Sequence, residues 1–68
     1  MPISQLSPRE QEVLACIASG LGNKEGAARL GISRSTVKGY LESILQKLQV
    51  PNRAAAAALW AKYAARSE

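Results

Sequence analysis

The sequence predicts an all-α fold, four helices packed as a small bundle, and three observations carry that reading. Apolar residues recur at helical spacing, most plainly Val37, Tyr40, Leu41, Ile44, Leu45 and Leu48. Helix-start residues stand at Ser7, Asn23, Ser33 and Asn52, and helix-stop residues at Gly20, Gly31 and Pro51. Hydrophobic residues make up 47% of the 68-residue chain but aromatics only 4%, with many alanines, and such a composition favours closely packed helices over a sheet. The length suits one domain with one modest core.

Residues 1–6 read as a linker or N-terminal arm, and residues 7–68 as the domain. Ser7-Pro8-Arg9-Glu10 predicts a helix start, with Ser7 as cap, Pro8 in the first position and Glu10 reaching back to complete a capping box. This helix should run to about residue 19, burying Val13, Leu14 and Ile17. Gly20 should end it and fold Leu21 back over Cys16, which then serves as a small core residue. Asn23 is expected to cap a second helix over 24–30.

The stretch from Asn23 to Glu42 organises the rest. Gly31 can adopt the left-handed backbone that ends one helix, and Ser33 can cap the next. Ala27 lets a second helix cross closely, and Leu30, Ile32, Val37 and Leu41 fix the crossing. Two short helices joined this way form a helix-turn-helix, whose second helix enters the major groove of DNA. That helix is predicted over 34–48. Its polar face carries Ser35, Lys38, Gly39, Glu42 and Gln46. Pro51 then disfavours helical backbone at Val50, and Asn52 should cap a fourth helix over 53–66. Its alanines leave two roles open for Trp60 and Tyr63: finishing the core, or meeting a second copy of the chain.

Charge agrees with a polyanionic partner. Lys24, Arg29, Arg34, Lys38, Lys47 and Arg53 stand against Glu25 and Glu42 in the central segment, which therefore holds the whole net charge of +4. There is no histidine and one cysteine, which excludes an internal disulfide, a Ser-His-Asp triad and the usual zinc finger. No constellation for enzyme chemistry and no cofactor site is visible. No apolar run approaches the roughly 20 residues of a membrane span, and the start lacks a signal-peptide layout, so a cytoplasmic location is expected.

The whole set resembles the LuxR/NarL-type DNA-binding domain of bacterial transcription regulators. The matching residues are Leu6-Ser7-Pro8-Arg9-Glu10, Val13-Leu14, Gly20-Leu21, Asn23-Lys24-Glu25, Ala27-Ala28, Leu30, Ile32-Ser33, Thr36-Val37-Lys38, Ile44-Leu45, Lys47-Leu48, Val50 and Asn52-Arg53. The resemblance implies that Lys38, Gly39 and Glu42 face bases, while Lys24, Arg34, Ser35, Thr36 and Lys47 meet phosphates. It also implies a C-terminal dimerisation helix, for which Ala54, Ala57, Ala58, Trp60 and Ala61 are the candidates. The expected partners are double-stranded DNA, a second copy of the chain and RNA polymerase.

Against the family pattern, Gly26 replaces an apolar residue, often Ile. That exchange should cost about 1 kcal/mol in helix propensity and about 2 kcal/mol in burial, giving a soft core or a compensating shift of Tyr40 or Leu14. Tyr40 replaces the usual histidine. Gly39 removes a side chain from the reading face. Glu42 can accept from the amino group of cytosine or pair with Lys38 one turn back. The competing reading is a protein-interaction module that docks through the alanine-rich fourth helix.

Overall fold

A computed structural model describes residues 2–66; Met1 of the expected arm and residues 67–68 of the expected domain lie outside the described residues. Four helices follow a short 3-10 turn at Pro2–Gln5: α1 (Pro8–Ala18), α2 (Asn23–Leu30), α3 (Arg34–Leu48) and α4 (Arg53–Arg66). No strand occurs among the described residues. The all-α expectation is met, with helix limits within a residue or two of those read from the sequence.

Each helix begins and ends for a local chemical reason. At α1, the Glu10 backbone N–H donates to Ser7 Oγ at 3.2 Å and the Ser7 N–H donates to Glu10 Oε1 at 2.8 Å, the reciprocal box expected. Gly20, at φ 89°, closes it. The Leu21 N–H reaches back to the Cys16 carbonyl at 3.1 Å, and that of Gly20 to Ile17 at 3.0 Å, satisfying two carbonyls the helix end would orphan. Ser33 Oγ accepts from the Thr36 N–H at 3.1 Å to start α3, and Asn52 Oδ1 accepts from the Ala55 N–H at 2.9 Å to start α4.

Asn23 does not cap α2. Gly22 holds the cap position in extended conformation with no side-chain cap bond, and Asn23 is already helical. Its Oδ1 instead accepts from Arg53 Nη2, which links the starts of α2 and α4. Asn23 stands one residue inside the helix, past the position from which its side chain could cap, and its oxygen is left for the guanidinium.

The end of α3 also differs in mechanism. Pro51 lies downstream, but the chain turns at Gln49, which takes the left-handed conformation at φ 57°. Val50 N–H then donates to the Leu45 carbonyl at 3.1 Å and Gln49 N–H to Gln46 at 3.2 Å.

The core is centred on Leu14 and Ile44, both fully buried, with Val13, Ile17, Ala27, Val37, Leu48 and Ala56 around them. α1 touches all three other helices, most extensively α4. The segment expected as a linker or arm belongs to this core. Ile3 and Leu6 are 1% and 4% exposed, and the turn that carries them packs on α3 and α4. The turn is closed by the Leu6 N–H donating to the Ile3 carbonyl at 3.0 Å, and Gln11 Nε2 donates to the Leu6 carbonyl at 3.2 Å. Burying two aliphatic side chains stabilises by about 1.5–3 kcal/mol each, enough to hold this segment on the bundle. Apolar residues three apart behind a proline are the signal that reveals it.

Candidate nucleic-acid interface

The junction of α2 and α3 is built with little freedom. Gly31 sits at φ 71° and ψ 32°, a region where a Cβ would crowd the following carbonyl. The Ile32 N–H then donates to the Ala27 carbonyl at 3.0 Å. Arg9 Nη2, from α1, donates to the Leu30 carbonyl at 3.2 Å, so the end of α2 is held by the helix behind it. Ala27, 4% exposed, lies where α2 crosses α3, and Val37 anchors α3 from the other side at 2%.

That packing leaves one face of α3 outward. Ser35, Lys38, Gly39, Glu42 and Gln46 are all exposed, the face read from the sequence. Lys38 and Glu42 form no ion pair with each other; among the described residues the ion pairs are Arg9–Glu12 and Lys47–Glu10. Both charges on the outer face are therefore available to an external partner. Gly39 is equally open, since a Cβ built there meets nothing within 4 Å.

The residues expected at phosphates divide into two groups. Lys24 is exposed in the first turn of α2, and Arg34, Ser35 and Thr36 are exposed in the first turn of α3. These helix starts carry the positive end of the helix dipole beside their cations, a favourable place for an anion. Thr36 is partly committed: its Oγ1 lies 2.8 Å from Ser33 Oγ in a hydrogen bond. Lys47 stands apart, near the far end of α3, where its Nζ donates to Glu10 Oε1 at 2.8 Å.

Glu10 is the residue that sequence reasoning read too narrowly. It completes the capping box, but it is also 4% exposed, and its Oε2 accepts from Ser43 Oγ at 2.7 Å. Burial pushes the carboxyl pKa up, yet the Lys47 ammonium, the Ser7 amide and the Ser43 hydroxyl outweigh it and hold the group at about 2, against an ordinary 4.5. Ser43 and Lys47, four apart on α3, present a hydroxyl and an ammonium on one face; that pairing is the signal pointing to a buried acid opposite.

Gly26 is buried, and a Cβ built there meets Cys16 Cβ at 3.7 Å. The missing side chain faces α1 at Cys16 rather than Tyr40 or Leu14, and the contact distance is ordinary. On α4, Ala56 is fully buried while Ala54, Ala58 and Ala61 are exposed along one line; Ala57 and Trp60 are half-buried at its border. Trp60 packs against the core and lies 5.6 Å from Tyr63, ring centre to ring centre.

A bundle whose second and third helices meet at a glycine turn, with one polar face of the third left outward, is a helix-turn-helix domain of the DNA-binding class. The chain belongs to the luxR family of bacterial regulatory proteins, whose sequence profile matches residues 4–60. It is 52% identical over 58 residues to the "Probable transcriptional regulatory protein SgaR" of Hyphomicrobium methylovorum, covering 85% of this chain and 28% of that protein. It is 46% identical over 55 residues to the "Nitrate/nitrite response regulator protein NarL" of Escherichia coli K12, covering 81% of this chain and 26% of that protein. The "Uncharacterized transcriptional regulatory protein YhcZ" of Bacillus subtilis is 49% identical over 59 residues, or 87% of this chain and 28% of that protein. The chain thus spans little more than a quarter of the length of these relatives.

Proposed function

We propose that this chain binds duplex DNA sequence-specifically in transcription control, with α3 in the major groove. Lys38, Gly39 and Glu42 face base edges. Lys24, Arg34, Ser35 and Thr36 meet phosphates, and Lys47 contributes through what its bond to Glu10 leaves free. The observation that carries this reading is the outward face of α3, exposed along its length and bearing two unpaired charges. Two copies pair through the Ala54, Ala58 and Ala61 line of α4, flanked by Ala57 and Trp60, so that two weak contacts act together. Such a protein works where bacterial DNA is, in the cytoplasm; no helix among the described residues is long and apolar enough to cross a membrane. The similarity to NarL favours, for a longer protein carrying this domain, the role of a response regulator.

The test is a titration of fluorescent duplex DNA at low and moderate salt. Binding should fall steeply as salt rises, because phosphate contacts release counterions. Lys38→Ala should weaken binding to the preferred duplex by about 1–3 kcal/mol and leave the helical spectrum unchanged. No binding at low salt by folded protein would move the function to the exposed line of α4, as a docking module for another protein.

A further inference from the structure

A row of polar side chains runs beside the outward face of α3. At about 3.6 residues per turn, Thr36, Tyr40, Ser43 and Lys47 fall within about 60° of one another round the helix and along about 16 Å of it. Gly39 and Glu42 lie on one side of the row, and Glu10 of α1, bonded to Ser43 and Lys47, lies on the other. A helix seated in the major groove turns its central face to the base edges and its flanks to the sugar-phosphate strands that wall the groove. This row is such a flank.

Within it, the Tyr40 hydroxyl is uncommitted. The residue is half-buried and packs against the core. Yet its hydroxyl makes no hydrogen bond among the described residues, and no buried side-chain oxygen there lacks a partner, so this oxygen reaches the surface. Its neighbours are engaged from within: Ser43 Oγ donates to Glu10 Oε2 at 2.7 Å, Lys47 Nζ donates to Glu10 Oε1 at 2.8 Å, and the Thr36 hydroxyl is bonded to that of Ser33. The surface around it is open, and Gly39 has no side chain to screen it.

The strand walls of a duplex present anionic acceptors, and a hydroxyl bonds to an ionised oxygen more strongly than to a neutral one. Glu10 does little to repel a phosphate there, because it is 4% exposed and its charge is met by the Lys47 ammonium. We propose that the Tyr40 hydroxyl is a DNA contact, donating to a phosphate oxygen on the strand that Thr36 and Lys47 face. This rests on the DNA-binding reading above and deepens it.

The experiment takes the duplex that the 68-residue chain selects from a random-sequence library and compares wild type with Tyr40→Phe, which removes the hydroxyl and keeps the ring. The variant should keep its melting temperature, since the free protein has no bond to lose, and should bind about three- to tenfold more weakly. Its order of preference among single-base-pair variants of the duplex should not change, because a phosphate contact carries no sequence information. Methylphosphonate linkages, each replacing one anionic oxygen by a methyl group, are then moved along both strands. At one linkage in each half-site the wild-type loss should exceed the Tyr40→Phe loss by about the same three- to tenfold. Unchanged affinity leaves the hydroxyl to solvent and overturns the contact. A loss that reorders the preferred base pairs gives the hydroxyl to a base edge, and one that comes with a lower melting temperature or couples to no linkage gives it to the fold; both overturn the phosphate contact. In all these cases wild-type binding leaves the DNA reading standing, whereas folded wild type that selects no duplex overturns both.

Discussion

Glu10 concentrates the residue-scale physics of this domain. One carboxylate serves the α1 start, the Ser43 hydroxyl and the Lys47 ammonium, so it locks the first helix to the third. Its folded pKa of about 2 lies below the ordinary 4.5. The stabilisation it contributes is therefore fully present above the unfolded value and is lost as pH falls from 4.5 through 2. Glu10→Gln should lower stability by about 1–3 kcal/mol at neutral pH, allowing for the solvent around half-exposed Lys47. Thermal melts should show the gap between wild type and variant constant above pH 4.5 and closing below it. A gap unchanged down to pH 2 would assign the loss to packing alone. Gly26 offers the opposite sign. Its Cβ position is an ordinary 3.7 Å from Cys16, so Gly26→Ala adds helix propensity and contact without a clash. It should raise stability by about 1 kcal/mol, or about 4–8 °C in melting temperature for a domain of this size. A fall would mean that the α1–α2 spacing depends on the missing methyl.

At the scale of elements, the helix ends were mostly legible in the sequence because they obey local rules. Ser7, Ser33 and Asn52 cap as their residue types and spacing predict, and Gly20 and Gly31 close helices in the left-handed region. What stayed illegible depended on partners distant in the chain. Asn23 has the right type for a cap, but Arg53, thirty residues on, takes its oxygen. Ile3 and Leu6 look like a terminal arm until α3 and α4 supply a surface for them. Lys47 reads as a free cation until Glu10 is found buried beneath it. Of the DNA-facing candidates, the sequence identified an exposed helix face through its period of 3.6. Gln49 was hidden for another reason: nothing in a glutamine signals a left-handed residue. Holding a side chain at φ 57° is costly relative to glycine, which is favoured where helices close this way. Gln49→Gly should therefore stabilise by a few tenths to about 1 kcal/mol, the unfolded-state entropy of glycine offsetting part of the gain. Chemical denaturation should show a higher midpoint at unchanged slope; a lower midpoint would mean the glutamine side chain makes a contact worth more than its strain.

For the whole molecule, the decisive arrangement is that the surfaces proposed for reading and for pairing sit on different helices. α3 turns one face outward, and α4 buries Ala56 against the core while leaving Ala54, Ala58 and Ala61 on its outer side. A 14-residue helix is about 21 Å long, and a stripe of methyl groups along it covers far less than the roughly 1,000 Å² that a stable free dimer needs. The total accessible surface is 4299 Å², so reaching that figure would take about an eighth of each copy. Two copies should therefore remain largely apart in solution at micromolar concentration and pair when neighbouring half-sites raise their effective concentration. Binding to a duplex with two half-sites should be cooperative, while binding to one half-site should be simple and weak. Ala58→Glu places a charge on the exposed line without touching the core or α3. It should abolish cooperativity, lowering apparent affinity for the double site by about 10- to 100-fold, and leave single-site affinity and melting temperature nearly unchanged. Sedimentation of the free protein with gel-shift titrations of both duplexes separates the possibilities. Equal loss on one and two half-sites would mean that α4 acts on DNA binding through the fold, and undiminished cooperativity would move the pairing surface elsewhere. Trp60 is the wrong residue for this test, because it packs on the core and against Tyr63, and its loss would unsettle fold and interface together.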